Sequence, residues 1–187
     1  MTRPLDMEIR RSATLSVDGR LRWTLTRSWG DGPAVCFIGV NPSTADHTKD
    51  DPTVRRWTHF AAAWGYRRFV AVNLYPFRTP SVAECRRLAD WERNGPDWYA
   101  RDDIDQNLDI VVREAKAAAL TVACWGGSAW DEMWVEHVVE HIETGEAPWP
   151  ALHCFGRTES GAPKHPMARG LHRIPDDQQP LVWRPAA

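Results

Sequence analysis

Four short apolar segments, set between amphipathic stretches, constrain this chain more than any other feature. They are Ala34–Gly39 (AVCFIG), Arg68–Leu74 (RFVAVNL), Leu120–Trp125 (LTVACW) and Ala151–Phe155 (ALHCF). Each has the length of a strand, and strands that are apolar along their whole length are those buried on both faces. The stretches between them carry helical spacing. Thr53–Trp64 stops at Gly65, and Asp102–Ala118 repeats its apolar residues at Ile104, Leu108, Val111, Val112 and Ala115. Pro80-Ser81 opens a helix through about Trp91, with Ser81 as cap and Glu84 completing a capping box. Ser128–Ile142 is a helix rich in Trp and Val, and Ser128 reads as its cap.

Strands alternating with helices predict an α/β fold of three layers, α/β/α, around a central four-stranded, mainly parallel sheet. Residues 12–28 alternate about Asp18-Gly19, a hairpin turn signal, so a small N-terminal β-hairpin precedes this core. The chain reads as a single domain, 1–187, with the hairpin at 12–28 and the α/β core at 34–175. The tail from Arg157 reads as loop.

Composition excludes several classes. Apolar residues make up 43%, charged residues 26%, and the net charge is −2, so the chain is neither disordered nor strongly basic overall. Cys36, Cys85, Cys124 and Cys154 form no C-x-x-C pair, which predicts buried free thiols in a reducing cytosol and neither zinc nor an iron–sulfur cluster. The first residues hold no apolar leader and no run approaches a membrane span, so a cytoplasmic location without membrane contact is expected. The 11 Trp exceed what a core of this size needs, which leaves some as stacking platforms.

Ligands of parallel α/β sheets bind at the carboxyl ends of the strands, so 39–51, 73–80, 125–129 and 156–170 are the segments to inspect. The first holds Gly39-Val40-Asn41-Pro42-Ser43-Thr44, where Asn41 offers an amide that can hold a water or a ligand, or cap a turn. In the second, Asn73 sits in an apolar strand, and its amide matches the O4/N3 edge of uracil or thymine or else ties neighbouring backbone. Tyr75 and Phe77 follow it as candidate stacking rings. The third, Trp125-Gly126-Gly127-Ser128, permits close approach of a ligand or another backbone. The fourth carries Arg157, Lys164, His165 and Arg169 and reads as electropositive, suited to phosphates. Asp51 caps the helix that Pro52 starts; Asp50 and Asp51 lack a third ligand for a metal.

Two resemblances rest on these segments. The runs GVNPSTAD (39–46) and KDDPTVRR (49–56), with WGY at 64–66, VNL at 72–74, Trp125-Gly126 and His165-Pro166, resemble the family known as domain of unknown function 1643 across roughly 20–175. The order of motifs is also similar to the uracil-DNA glycosylase superfamily. Gly39-Val40-Asn41-Pro42 falls where that superfamily has its first motif, and Asn matches its thymine- and mismatch-specific branch. Val72-Asn73-Leu74 resembles the strand that reads the pyrimidine edge. Val122–Ala129 resembles its third strand, and His165-Pro166 the start of His-Pro-Ser. Met167-Ala168-Arg169 falls where the superfamily has its DNA-inserting wedge. The chain departs from the pattern at Met167, which replaces the motif Ser, at Ser43 and Thr44, and in the acidic insertion at Asp50-Asp51.

This second resemblance implies a glycosylase-like fold and a DNA glycosylase that flips a pyrimidine, modified or mismatched, and hydrolyses its N-glycosidic bond, as in DNA repair or phage defence. Asn41 and His165 would be catalytic. Asn73, Phe77, Tyr75, Gly39 and Val40 would bind the base. Ser43, Thr44, Arg157, Lys164, Met167, Arg169, Gly126 and Ser128 would contact DNA. DNA is the expected partner of a monomer that needs no cofactor. Two alternatives stay open: an enzyme acting on a free nucleoside, nucleotide or modified base, and a reader of modified bases without catalysis.

Overall fold

A computed structural model describes residues 8–94, 101–145 and 148–186. Among them are seven strands: β1 (Arg10–Leu15), β2 (Arg22–Ser28), β3 (Val35–Gly39), β4 (Arg68–Asn73), β5 (Leu120–Ala123), β6 (Leu152–Cys154) and β7 (Leu181–Arg184). The α-helices are α1 (Pro52–Ala63), α2 (Val82–Asn94), α3 (Arg101–Ala117) and α4 (Glu132–Ile142). All strands join one sheet in the order β1-β2-β4-β3-β5-β6-β7.

The sheet is mixed. β3 pairs in parallel with β4 and β5, and β5 with β6. β1–β2, β2–β4 and β6–β7 are antiparallel. The expected four-stranded, mainly parallel sheet is thus corrected to a seven-stranded one in which antiparallel pairings are as many as parallel ones. The N-terminal hairpin does not stand apart: β2 hydrogen-bonds to β4 and extends the sheet. At the other edge β7, which falls in the tail read as loop, adds to β6. β7 (LVWR) has only four residues, is exposed over its first two, and lies between Pro180 and Pro185, so its three apolar residues are too short a run to stand out in the tail. The hairpin connection is also longer than a two-residue turn, closing through Ser16 N–H to Leu21 O and Gly19 N–H to Ser16 O.

Alternate residues of the central strands feed two cores. Val35, Phe37, Phe69, Ala71, Leu120 and Val122 pack beneath α1 with Trp57 and Phe60. Cys36, Ile38, Val70, Val72 and Ala123 pack beneath α2, α3 and α4. Helices therefore cover both faces, and a residue's parity along a strand decides its core.

Local signals explain the helix ends. Asp51 Oδ1 accepts from Val54 N–H at 2.9 Å and Pro52 stands in the first turn. Glu84 N–H donates to Ser81 Oγ, but the Glu84 carboxylate turns to Arg87, so only half of the capping box forms. α4 starts later than Ser128. Gly126–Ser128 is a 3-10 turn, and Asp131 caps α4 through Trp134 N–H at 2.9 Å. All four cysteines are free and buried, and burial raises their thiol pKa, to about 12 for Cys85 and Cys124. No helix among the described residues is long and apolar enough to cross a membrane.

Candidate functional site

The carboxyl ends of the parallel strands surround a cavity of about 290 Å³. β3 supplies Gly39 and the following Val40 and Asn41; β4 supplies Asn73. Trp125 follows β5, and His165 lies in the loop after β6. Successive crossovers leave β3 in opposite directions, first to β4 and then back past it to β5. This is the switch point at which open α/β sheets bind ligands.

Gly39 and Asn73 are register partners on adjacent strands. A Cβ on Gly39 would stand 2.8 Å from Asn73 Oδ1 and 3.8 Å from the Trp57 ring. Glycine at 39 is what leaves room for the amide. Asn73 is 2% exposed and its Nδ2 has no hydrogen-bond partner. Its backbone carbonyl is held by Asn107 Nδ2 of α3 at 2.9 Å, which fixes the strand end. A buried, unpaired amide donor costs about 1–3 kcal/mol.

Asn41 is held differently. Its Nδ2 donates to Thr79 O at 2.6 Å, to Pro42 O at 3.1 Å and to Phe77 O at 3.4 Å. The amide N–H₂ is consumed in joining the loops after β3 and β4. The chemistry that Asn41 offers the cavity is that of its acceptor oxygen.

His165 packs against Gly126, whose φ is +73° and whose Cβ, if it had one, would meet His165 Cβ at 3.0 Å. Gly126 N–H donates to Pro163 O at 2.8 Å and pins the two loops together. His165 Nδ1 accepts from Met167 N–H at 3.1 Å. An Nδ1 that accepts leaves the proton on Nε2. Burial also lowers the imidazole pKa, against the opposing charge of Asp51, so the ring is held neutral with Nε2–H as its donor.

Further residues line the wall that were not among the candidate site residues read from sequence; Thr53, Thr79, Pro80 and Val82 are four of them, and three others carry chemistry. Asp51 caps α1 through Oδ1 and is the one carboxylate among the described residues that line the cavity. Trp57 lines it from α1, stacked on Phe37 at 5.5 Å. Arg22, at the start of β2, is 2% exposed. β2 runs antiparallel to β4, so its first residue stands at the carboxyl end of the parallel strands. Asp50, in contrast, faces away from this chemistry, in an ion pair with buried Arg27 at 2.7 Å.

Of the other candidates, Val40, Ser43 and Ser128 line the cavity with Gly39, and Gly126 backs His165. Tyr75 and Phe77 do not line it; both are buried in the core under α2–α4, where Tyr75 stacks on Trp130 at 4.7 Å. Thr44 is exposed. Arg157 is exposed and donates to Trp183 O at 3.0 Å. Lys164 lies along Gly156. Met167 and Arg169 line a second, open concavity together with Arg56 and Arg173. No cluster of three or more His, Cys, Asp or Glu suited to a metal occurs among the described residues.

A family model described as "Protein of unknown function (DUF1643)" matches residues 22–167. The chain belongs to the DUF1643 family. Every residue lining the cavity, from Arg22 to His165, falls inside the matched DUF1643 region. No curated protein and no solved structure gives a significant match.

Proposed function

We propose that this DUF1643 protein is a DNA glycosylase-like enzyme that hydrolyses the N-glycosidic bond of a pyrimidine nucleotide flipped out of DNA. The observation that carries this reading is the buried, unpartnered Nδ2 of Asn73 at the floor of a cavity that also holds a neutral His165. A pyrimidine edge pairs an acceptor with a donor in one plane, the complement of a carboxamide. Trp57 and Trp125 supply the aromatic surfaces expected beside a flipped base, in place of Tyr75 and Phe77.

In the reaction, water attacks C1′ while the C1′–N1 bond breaks. The bonding electrons leave with the base, and negative charge gathers on its O2. The Nε2–H of His165 is the donor suited to that charge. Asn41 Oδ1 orients the water by accepting one of its protons, and the Asp51 carboxylate takes a proton as the new C–O bond forms. The products are an abasic sugar and the free base. The arginines of the neighbouring concavity, Arg56, Arg169 and Arg173, suit the phosphates on either side.

The test is base release from oligonucleotides carrying uracil, thymine mismatches or hypermodified pyrimidines, with Asn41→Ala and His165→Ala as controls. Abasic sites formed by the wild type and lost in both variants are the expected result. Absence of release from every substrate refutes the enzyme reading on DNA. Salt-sensitive DNA binding without release would then identify a reader of bases.

A further inference from the structure

Two arginines of β2 are almost fully enclosed, and they are treated differently. Arg27 is 0% exposed and fully engaged. Its guanidinium pairs with Asp50 at 2.7 Å and donates to the carbonyls of Thr26 at 2.8 Å and Asp46 at 2.6 Å. Arg22 is 2% exposed and has one side-chain hydrogen bond, from Nη1 to Ala45 O at 2.9 Å. Among the described residues its Nε is buried without a partner, and it forms no ion pair. Burial pulls its pKa down to about 10, with Asp51 the strongest opposing charge. A buried charge without a counter-ion costs several kcal/mol. Folding satisfied the one at Arg27 and left the one that faces the cavity.

We propose that Arg22 forms an anion subsite inside this cavity, so that the ligand carries an anionic group as well as a pyrimidine edge. Only the pyrimidine part of this statement rests on the function proposed above. The guanidinium presents a planar set of donors, which matches phosphate or carboxylate oxygens better than a single neutral acceptor. Asp51 does not fill the place. It is committed through Oδ1 to the α1 N-terminus and makes no ion pair with Arg22. The anionic group has two possible sources, the phosphate of a nucleotide or an acidic substituent on the base itself.

Calorimetric titration of the full-length protein separates them with two ligand pairs: deoxyuridine against deoxyuridine 5′-monophosphate, and uracil against 5-carboxyuracil. Charge-assisted hydrogen bonds lead us to expect that the anionic member of at least one pair binds about tenfold more tightly, or better, than its neutral parent. The first pair responding identifies phosphate; the second identifies an acid on the ring. Arg22→Gln should abolish the preference and Arg22→Lys should keep part of it. Equal affinities within both pairs overturn the inference on wild-type protein alone, whether or not the variants fold. A preference that survives in folded Arg22→Gln overturns it as well. Base release from DNA with no anion preference refutes this subsite and leaves the glycosylase reading standing. An anion preference without base release refutes that reading and leaves the subsite.

Discussion

Substitution of Asp51 separates its two tasks. Its Oδ1 caps α1 by accepting from Val54 N–H at 2.9 Å, and its carboxylate is the sole negative charge among the described residues of the cavity wall. Asn caps a helix about as well as Asp, whereas Ala loses about 0.5–2 kcal/mol. For a chain of this size each kcal/mol moves Tm by about 2–4 °C. Asp51→Ala should therefore melt a few degrees lower, while Asp51→Asn should stay within about 1 °C of the wild type. Neither variant retains a proton acceptor. A positioned general base contributes about 10²–10⁴-fold, so single-turnover base release should fall by about 100-fold or more in both variants. His165 reports the same change independently. Asp51 opposes the lowering of its pKa, so the imidazole should titrate at still lower pH in Asp51→Asn, as followed by its ring proton shifts in NMR. Wild-type base release by Asp51→Asn would refute the role of the carboxylate in activating water and leave Asp51 as a cap alone.

Three other perturbations have definite expected outcomes. Gly39→Ala places a methyl 2.8 Å from Asn73 Oδ1, so it should displace that amide and abolish pyrimidine binding in titration, with an overpacking cost of about 1–3 kcal/mol read from Tm. His165 has a folded-state pKa below its ordinary 6.5, so the unfolded chain takes up its proton first; stability is complete above that value and is lost as pH falls below it toward the folded pKa. His165→Gln should flatten that acid slope in a Tm-against-pH series. Glu92 is raised from 4.5 to about 7, first by burial and then by the Asp103 charge, so the folded state holds its proton longer and stability falls as pH rises from 4.5 toward 7. Glu92→Gln should then melt above the wild type at pH 8 and level with it at pH 4.

The parts of the site legible in the sequence are those set by local pattern. Asn73 ends an apolar strand, Asn41 and His165 lie in the loops that follow two others, and the strand-end rule places all three on one cavity without knowledge of the sheet order. The parts that were not legible depend on non-local register. Within RLRWTLTRS, Arg22 falls on the polar face with Thr24 and Thr26, which gives no sign that it is buried, and Arg27 interrupts the opposite face of Trp23 and Leu25; only the pairing of Leu25 with Ala71 brings the start of β2 to the ligand end. Tyr75 and Phe77 lie as close to Asn73 in sequence as any stacking ring could. They turn into the core beneath α2–α4, however, because Trp130 and Trp134 of a later segment receive Tyr75 there. Asp51 was read correctly as a cap, and capping accounts for one carboxylate oxygen only. The second task becomes visible when the α1 N-terminus is seen to abut the cavity.

These points change the status of the N-terminal hairpin. Arg22 holds Ala45 O, and Arg27 holds Asp46 O and the Asp50 carboxylate, so β2 clasps the segment between β3 and α1 at its middle and near its C-terminal end. That segment ends at Asp51, whose position on the cavity is set by the clasp and by the α1 cap together. Asp50 and Asp51 are neighbours with opposite fates: the first is spent neutralising a buried arginine, and the second is left facing the cavity beside an arginine that has no such partner. A hairpin that only lengthened the sheet would need neither buried guanidinium. β2 does both jobs: Arg27 holds the loop that carries Asp51, and Arg22 lines the cavity itself.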